Sequence, residues 1–123
     1  MGLVGLTKVT VSIRDLGKTR HPYEDEFLVD TGAVDCLVSG SKLKKAGVKP
    51  EGTAVYESAN GSPVEYEYGF ARVSFMGAET VTQVIFGPEN AEPILGVVAL
   101  ENTGIGIDPR TKRLLKMTAK PLK

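Results

Sequence analysis

The sequence predicts an all-β fold carrying one long hairpin and one or two short helices. Three observations lead there. Val9, Val11 and Ile13 alternate with Lys8, Thr10, Ser12 and Arg14, the period of two that a half-buried strand requires. Asn60-Gly61 separates Val55-Tyr56 from the alternating run Val64 to Tyr68, and Asn-Gly is a strong hairpin signal because both residues tolerate positive φ. Helical spacing is confined to two short stretches, Lys42 to Ala46 and Val97 to Leu100.

Taken in order, the first strand is broken by Leu16-Gly17-Lys18 and His21-Pro22, and Glu24 to Asp30 forms its antiparallel partner. Val34 to Val38 reads as a short apolar strand. Ser39-Gly40-Ser41 offers a helix cap, Leu43 is the inward residue of the single turn that follows, and Gly47 stops it. Along Thr53 to Phe75 the inward phase passes from Val64, Tyr66, Tyr68 and Phe70 to Ala71, Val73 and Phe75, which predicts a bulge or bend near Gly69. Met76-Gly77 turns the chain into a strand over Val81 to Phe86, ended by Gly87-Pro88. Pro93-Ile94-Leu95-Gly96 leads into the second helical stretch, where Gly96 permits two backbones to approach closely. Ile105 and Ile107, with Leu114, Leu115 and Met117 beyond Asp108-Pro109, read as a closing hairpin.

The 123 residues fit one domain, 1–123, with a modest core. Fifteen basic and fifteen acidic side chains cancel, so neither nucleic acid nor a membrane surface is an expected partner. No apolar run reaches spanning length, Met1 to Thr10 lacks a signal-peptide pattern, and Leu6 stands where myristoylation of Gly2 would want Ser or Thr. A cytoplasmic protein is the expectation, and the single Cys36 fits a reducing compartment. Catalysis by Cys36 would need a partner base, and the only histidine, His21, lies in a turn-like Arg20-His21-Pro22 context. One His and one Cys make no zinc constellation, and no cofactor is expected.

The chemistry concentrates at Phe27-Leu28-Val29-Asp30-Thr31-Gly32-Ala33, an apolar run that delivers one carboxylate into a tight turn. Dehydrating that carboxylate costs several kcal/mol unless donors hold it. Thr31 offers a hydroxyl, and Gly32 a backbone able to turn N–H groups toward the acid. Asp-Thr-Gly alone should occur by chance in roughly one chain of this length in fifty, so its setting after Phe-Leu-Val carries much of the weight. Asp30-Thr31-Gly32-Ala33, with Ile94-Leu95-Gly96 before a helix, resembles the retropepsin-like (retroviral-type) aspartic proteases. The Gly-Ile-Gly-Ile-Asp-Pro ending, Gly104 to Pro109, is closer to bacterial and cellular members than to retroviral enzymes.

That resemblance implies a closed or partly open acid-protease-type β-barrel in which the long hairpin is a flap. Asp30, Thr31 and Gly32 would be the catalytic turn: Asp30 activates water, Thr31 locks two turns together and Gly32 contacts substrate backbone. Leu28, Ala33, Val34, Asp35 and Ile94 would line substrate pockets, with Asn60 and Gly61 near the flap tip. A peptide or protein substrate would lie extended between flap and floor. Peptide hydrolysis by carboxylates needs two of them around one water. This chain holds one Asp-Thr-Gly, so an active protease must be a homodimer. Asn102-Thr103-Gly104 mimics the motif with an amide and lacks the apolar run before it.

Retroviral members pair an Asp after Asp-Thr-Gly-Ala with an Arg after the later Gly. Here Val34 and Val97 occupy those positions, so both charges are missing together. No terminal strand like the one retroviral subunits interleave is evident. The rival readings are a non-catalytic peptide- or protein-binding β-barrel of the same fold, and a piece of a heterodimer or larger assembly.

Overall fold

The computed structural model describes residues 7–117. The amino-terminal features around Gly2 and Leu6, and the last six positions, lie outside them. Among the described residues, nine strands and two short helices follow in chain order: β1 Lys8–Arg14, β2 Tyr23–Val29, β3 Cys36–Ser39, α1 Gly40–Lys45, β4 Gly52–Glu57 and β5 Pro63–Phe75. Then come β6 Ala78–Gly87, β7 Ile94–Leu95, α2 Val97–Thr103, β8 Ile105–Ile107 and β9 Leu114–Lys116.

The principal sheet runs β1-β2-β7-β3-β6-β5-β4, and β1 also pairs with β5. That last pairing, Ser12 opposite Ser74 and Arg14 opposite Arg72, closes six strands into a ring. Closure covers the free edge that β1 would otherwise expose. β4 stays outside the ring as the outer arm of the β4–β5 hairpin. β8 and β9 form a separate antiparallel pair.

Alternation decides which side chains enter the ring. Val11 and Ile13 of β1, Phe27 and Val29 of β2, and Ala71, Val73 and Phe75 of β5 are buried, with Val84, Phe86 and Leu95 beside them. Each large apolar side chain withdrawn from water contributes about 1.5–3 kcal/mol. Leu43 is fully buried from α1, whose chain reverses at Gly47 with φ +90°. Ser39 stands at the helix cap position but makes no capping bond; its hydroxyl lies 3.1 Å from that of Ser41.

Two expectations change in detail. β3 begins at Cys36, because Val34 and Asp35 still belong to the bend that follows Asp30. β5 contains no bulge: its pairing with β6 proceeds one residue at a time from Glu67 opposite Phe86 to Phe75 opposite Ala78. The apparent shift of phase comes from a change of surroundings. The even residues Val64 and Tyr66 face a cavity near the hairpin, whereas Phe70, on the same face, is exposed. Gly69 is required for another reason: a Cβ there would lie 2.5 Å from the Lys49 carbonyl oxygen. The β5–β6 turn has both Met76 and Gly77 at positive φ, the geometry that suits a two-residue hairpin.

Candidate active site

β2 ends at Val29 and hands Asp30 to the turn. β7 runs parallel beside it, with Leu28 opposite Ile94 and Val29 opposite Leu95. The Asp30 N–H donates to the Leu95 carbonyl at 3.0 Å, and the Leu28 N–H to that of Pro93 at 3.0 Å. The turn closes on itself: Ala33 N–H reaches the Asp30 carbonyl at 3.1 Å, and Gly32 N–H reaches Asp30 Oδ1 at 2.9 Å. Asp30 is half-buried, and the Gly32 bond fixes one of its oxygens as a short polar side chain folded over its own turn.

Gly32 serves this geometry by being small. It does not use a left-handed backbone, but a Cβ on it would stand 3.2 Å from Asp30 Oδ1. The Thr31 side chain is exposed and makes no hydrogen bond among the described residues.

Behind the turn the two motif segments lock together. Val97 N–H donates to the Ala33 carbonyl at 2.8 Å and Val98 N–H to that of Val34 at 3.1 Å. Backbone bonds thus join the segments where the retroviral pattern would place a charge pair. A Cβ on Gly96 would lie 2.6 Å from the Asp35 carbonyl carbon, so only glycine permits this approach.

Asp30 opens onto a cavity of about 730 Å³. One wall is Gly32, Ala33, Val34, Asp35 and Leu37 with Ile85 and Ile94; the other comes from the hairpin, as Tyr56, Glu57, Ser58, Ala59, Val64 and Tyr66. Of the residues singled out from sequence, Asp30, Gly32, Ala33, Val34, Asp35 and Ile94 therefore meet at one place. Leu28 lies in the β2–β7 ladder and does not line the cavity. Neither do Asn60 and Gly61: the Asn60 carboxamide accepts from the Ser58 hydroxyl at 2.6 Å and the Ser62 N–H at 3.0 Å, holding the hairpin turn together. The neighbouring Ser58 and Ala59 face the cavity instead. Tyr56, Tyr66 and Ile85 were not among the sequence candidates; the β4–β5 register, with Tyr56 opposite Val64 and Ala54 opposite Tyr66, puts both tyrosines on one face.

Asp35 is the second acid of this cavity, and burial raises its carboxyl above the ordinary aspartate value. Gln83 Nε2 donates to Asp35 Oδ2 at 3.3 Å and to the Tyr56 hydroxyl at 3.3 Å. Burial raises the Tyr56 phenol as well, with the Gln83 bond opposing and the Asp35 charge adding to the rise. Cys36 is buried next door, and its thiol is pushed up to about 11 by that burial, leaving it protonated and unsuited to nucleophilic work. Asn102-Thr103-Gly104 forms the end of α2, with Gly104 as its left-handed cap, and is no second acidic turn. No group of three or more His, Cys, Asp or Glu able to hold a metal occurs among the described residues. No helix among them is long and apolar enough to cross a membrane.

A ring-closed β-barrel with an Asp-Thr-Gly turn opening into a cleft beneath a hairpin defines the retropepsin-like aspartic proteases. The sequence pattern described as "gag-polyprotein putative aspartyl protease" matches residues 21–102, more than half of the chain, and the chain belongs to that family. Solved structures share the fold. The simian foamy virus (mac) protease superposes with a TM-score of 0.54 at 15% identity, covering 76% of this chain and 91% of that one. The EIAV protease complexed with the inhibitor HBY-793 gives 0.56 at 20% identity, covering 85% and 93%. A retropepsin-like aspartic protease from Rickettsia conorii gives 0.53 at 18% identity, covering 84% and 76%. Against a foamy viral protease-reverse transcriptase the chain spans only 12% of that polypeptide. No curated protein matches.

Proposed function

We propose that this chain is a homodimeric aspartic endopeptidase, one catalytic domain over residues 1–123 acting in the cytoplasm on extended peptide segments. The observation that carries the reading is Asp30 itself, tethered by Gly32 at the mouth of a cavity large enough for substrate side chains. One carboxyl per chain cannot serve as both base and acid. A two-fold axis beside the exposed Thr31 brings Asp30 opposite its counterpart in a second copy. Two carboxyls about 3 Å apart cannot both ionise, so the pair shares a proton and titrates as a unit.

The ionised member takes a proton from water as that water attacks the substrate carbonyl. The protonated member donates, and the C–N bond breaks as the departing nitrogen gains a proton. Thr31 hydroxyls cross-link the two turns, and Gly32 lies against substrate backbone. The β4–β5 hairpin is the flap: closing it over an extended peptide excludes water and sets side chains alternately toward pocket and solvent.

Incubation with an unfolded protein between roughly pH 4 and 7 tests this reading. The wild-type chain yields fragments and Asp30→Asn yields none. A wild-type chain that folds, sediments as a dimer and cuts nothing would instead be a peptide-binding barrel.

A further inference from the structure

Asp35 has no part in the hydrolytic step, yet the fold holds it in the substrate cavity with care. Its backbone is clamped against Gly96, and its Oδ2 is held by Gln83, which also binds Tyr56 of the hairpin. Its Oδ1 makes no hydrogen bond among the described residues. The remaining cavity lining carries two further acids, Asp30 and Glu57, and no Lys, Arg or His. A half-buried carboxylate without a cation is a standing cost, recovered when a partner of opposite charge arrives.

We propose, building on the protease reading, that this cavity selects a basic residue of the substrate, with Asp35 Oδ1 accepting from its ammonium or guanidinium group. Gln83 is the positioning residue that keeps Oδ2 occupied and Oδ1 free. Tyr56 carries the same bond network into the hairpin, so the wall that covers the peptide and the acid that reads it are tied together. Leu37, Ile85 and Val64 supply apolar surface for the aliphatic stem of such a side chain.

Pairs of peptides that differ only by Lys against Met at one position give the test, with kcat/KM measured at the most alkaline pH that still supports cleavage. The wild type prefers the Lys member by about tenfold or more at one position, and rising salt erodes that ratio. Asp35→Asn, an isostere that still accepts from Gln83, collapses the ratio toward one; Asp35→Lys turns the preference toward a Glu member. Cleavage of Lys and Met peptides at equal rates throughout, or a Lys preference that survives in Asp35→Asn, overturns the assignment. Should the Asp35 variants fail to fold, the salt dependence of the wild-type ratio decides, and a salt-independent ratio counts against it. Absence of all cleavage by the wild type would overturn the protease reading itself, which keeps the two failures distinct.

Discussion

Gly96 is pressed against Asp35 so closely that a side-chain carbon on the former would lie 2.6 Å from both the carbonyl carbon and the carbonyl oxygen of the latter. Both contacts are backbone, which cannot swing aside as a flexible side chain can. Gly96→Ala therefore forces the β7–α2 junction away from the segment after Asp30. Overpacking of this kind costs about 1–3 kcal/mol or more, measurable as a lowered urea midpoint. Cleavage should fall further than the loss of folded protein explains, because the Asp30 turn hangs on the same junction. A fully stable, fully active Gly96→Ala protein would show the approach to be loose.

Burial raises the Asp35 carboxyl above its unfolded value of 3.8, so the folded state binds that proton more tightly than the unfolded chain does. Ionised Asp35 is thus a penalty on folding at neutral pH, and the penalty disappears as pH falls through the folded pKa. Asp35→Asn should stabilise the protein near neutrality, by under about 1 kcal/mol given the exposure of the site, and the gain should vanish in acid. Thermal melts of the two proteins across pH decide this. A variant less stable at neutral pH would mean that the charge has a favourable partner after all.

Asp15 behaves oppositely. The Thr19 hydroxyl at 2.7 Å, the Thr19 N–H at 2.9 Å and the Arg20 N–H at 3.3 Å hold its carboxyl below the unfolded value. Its contribution to stability is present above that unfolded value and is lost as pH falls through the folded pKa. Asp15→Asn should lower the melting temperature at neutral pH and converge with the wild type in strong acid. Equal melting temperatures at neutral pH would show the loop from Asp15 to Arg20 to be held by other means.

Cys36 should be silent in catalysis. Cys36→Ala keeps its cleavage activity while losing roughly 0.5–3 kcal/mol of stability. An alkylating reagent should label the native thiol slowly and the denatured one quickly, since the thiolate is scarce when its pKa is about 11. Rapid labelling of the native protein would contradict the burial.

The order of elements and the Asp30 turn were legible in the sequence because they depend on local pattern: alternation in β1, the Asn60-Gly61 turn, and the glycine that stops α1. The junction at Gly96 was also legible, since a glycine between apolar residues and a helix permits two backbones to approach closely. What escaped was the finer three-dimensional detail around the cavity. The even face of β5 passes from cavity to solvent without a bulge, so periodicity alone suggested a break at Gly69, where a close backbone contact with Lys49 was the cause. Asn60 was expected near the tip of the hairpin, and no sequence pattern showed that its carboxamide oxygen accepts from the Ser58 hydroxyl and the Ser62 N–H. Gln83 joins Asp35 to Tyr56 across 48 and 27 residues of sequence, and no local signal marks such a link.

Mixing inactive with active chains addresses the shared acid pair most directly. With a fixed amount of wild type and rapid subunit exchange, an equal amount of Asp30→Asn should cut activity to roughly half, and a ninefold excess to about a tenth, because each mixed dimer holds a single carboxyl. Activity that stays constant as the variant is added would mean that one chain hydrolyses peptides unaided, and the proposed pairing of Asp30 across two copies would be wrong.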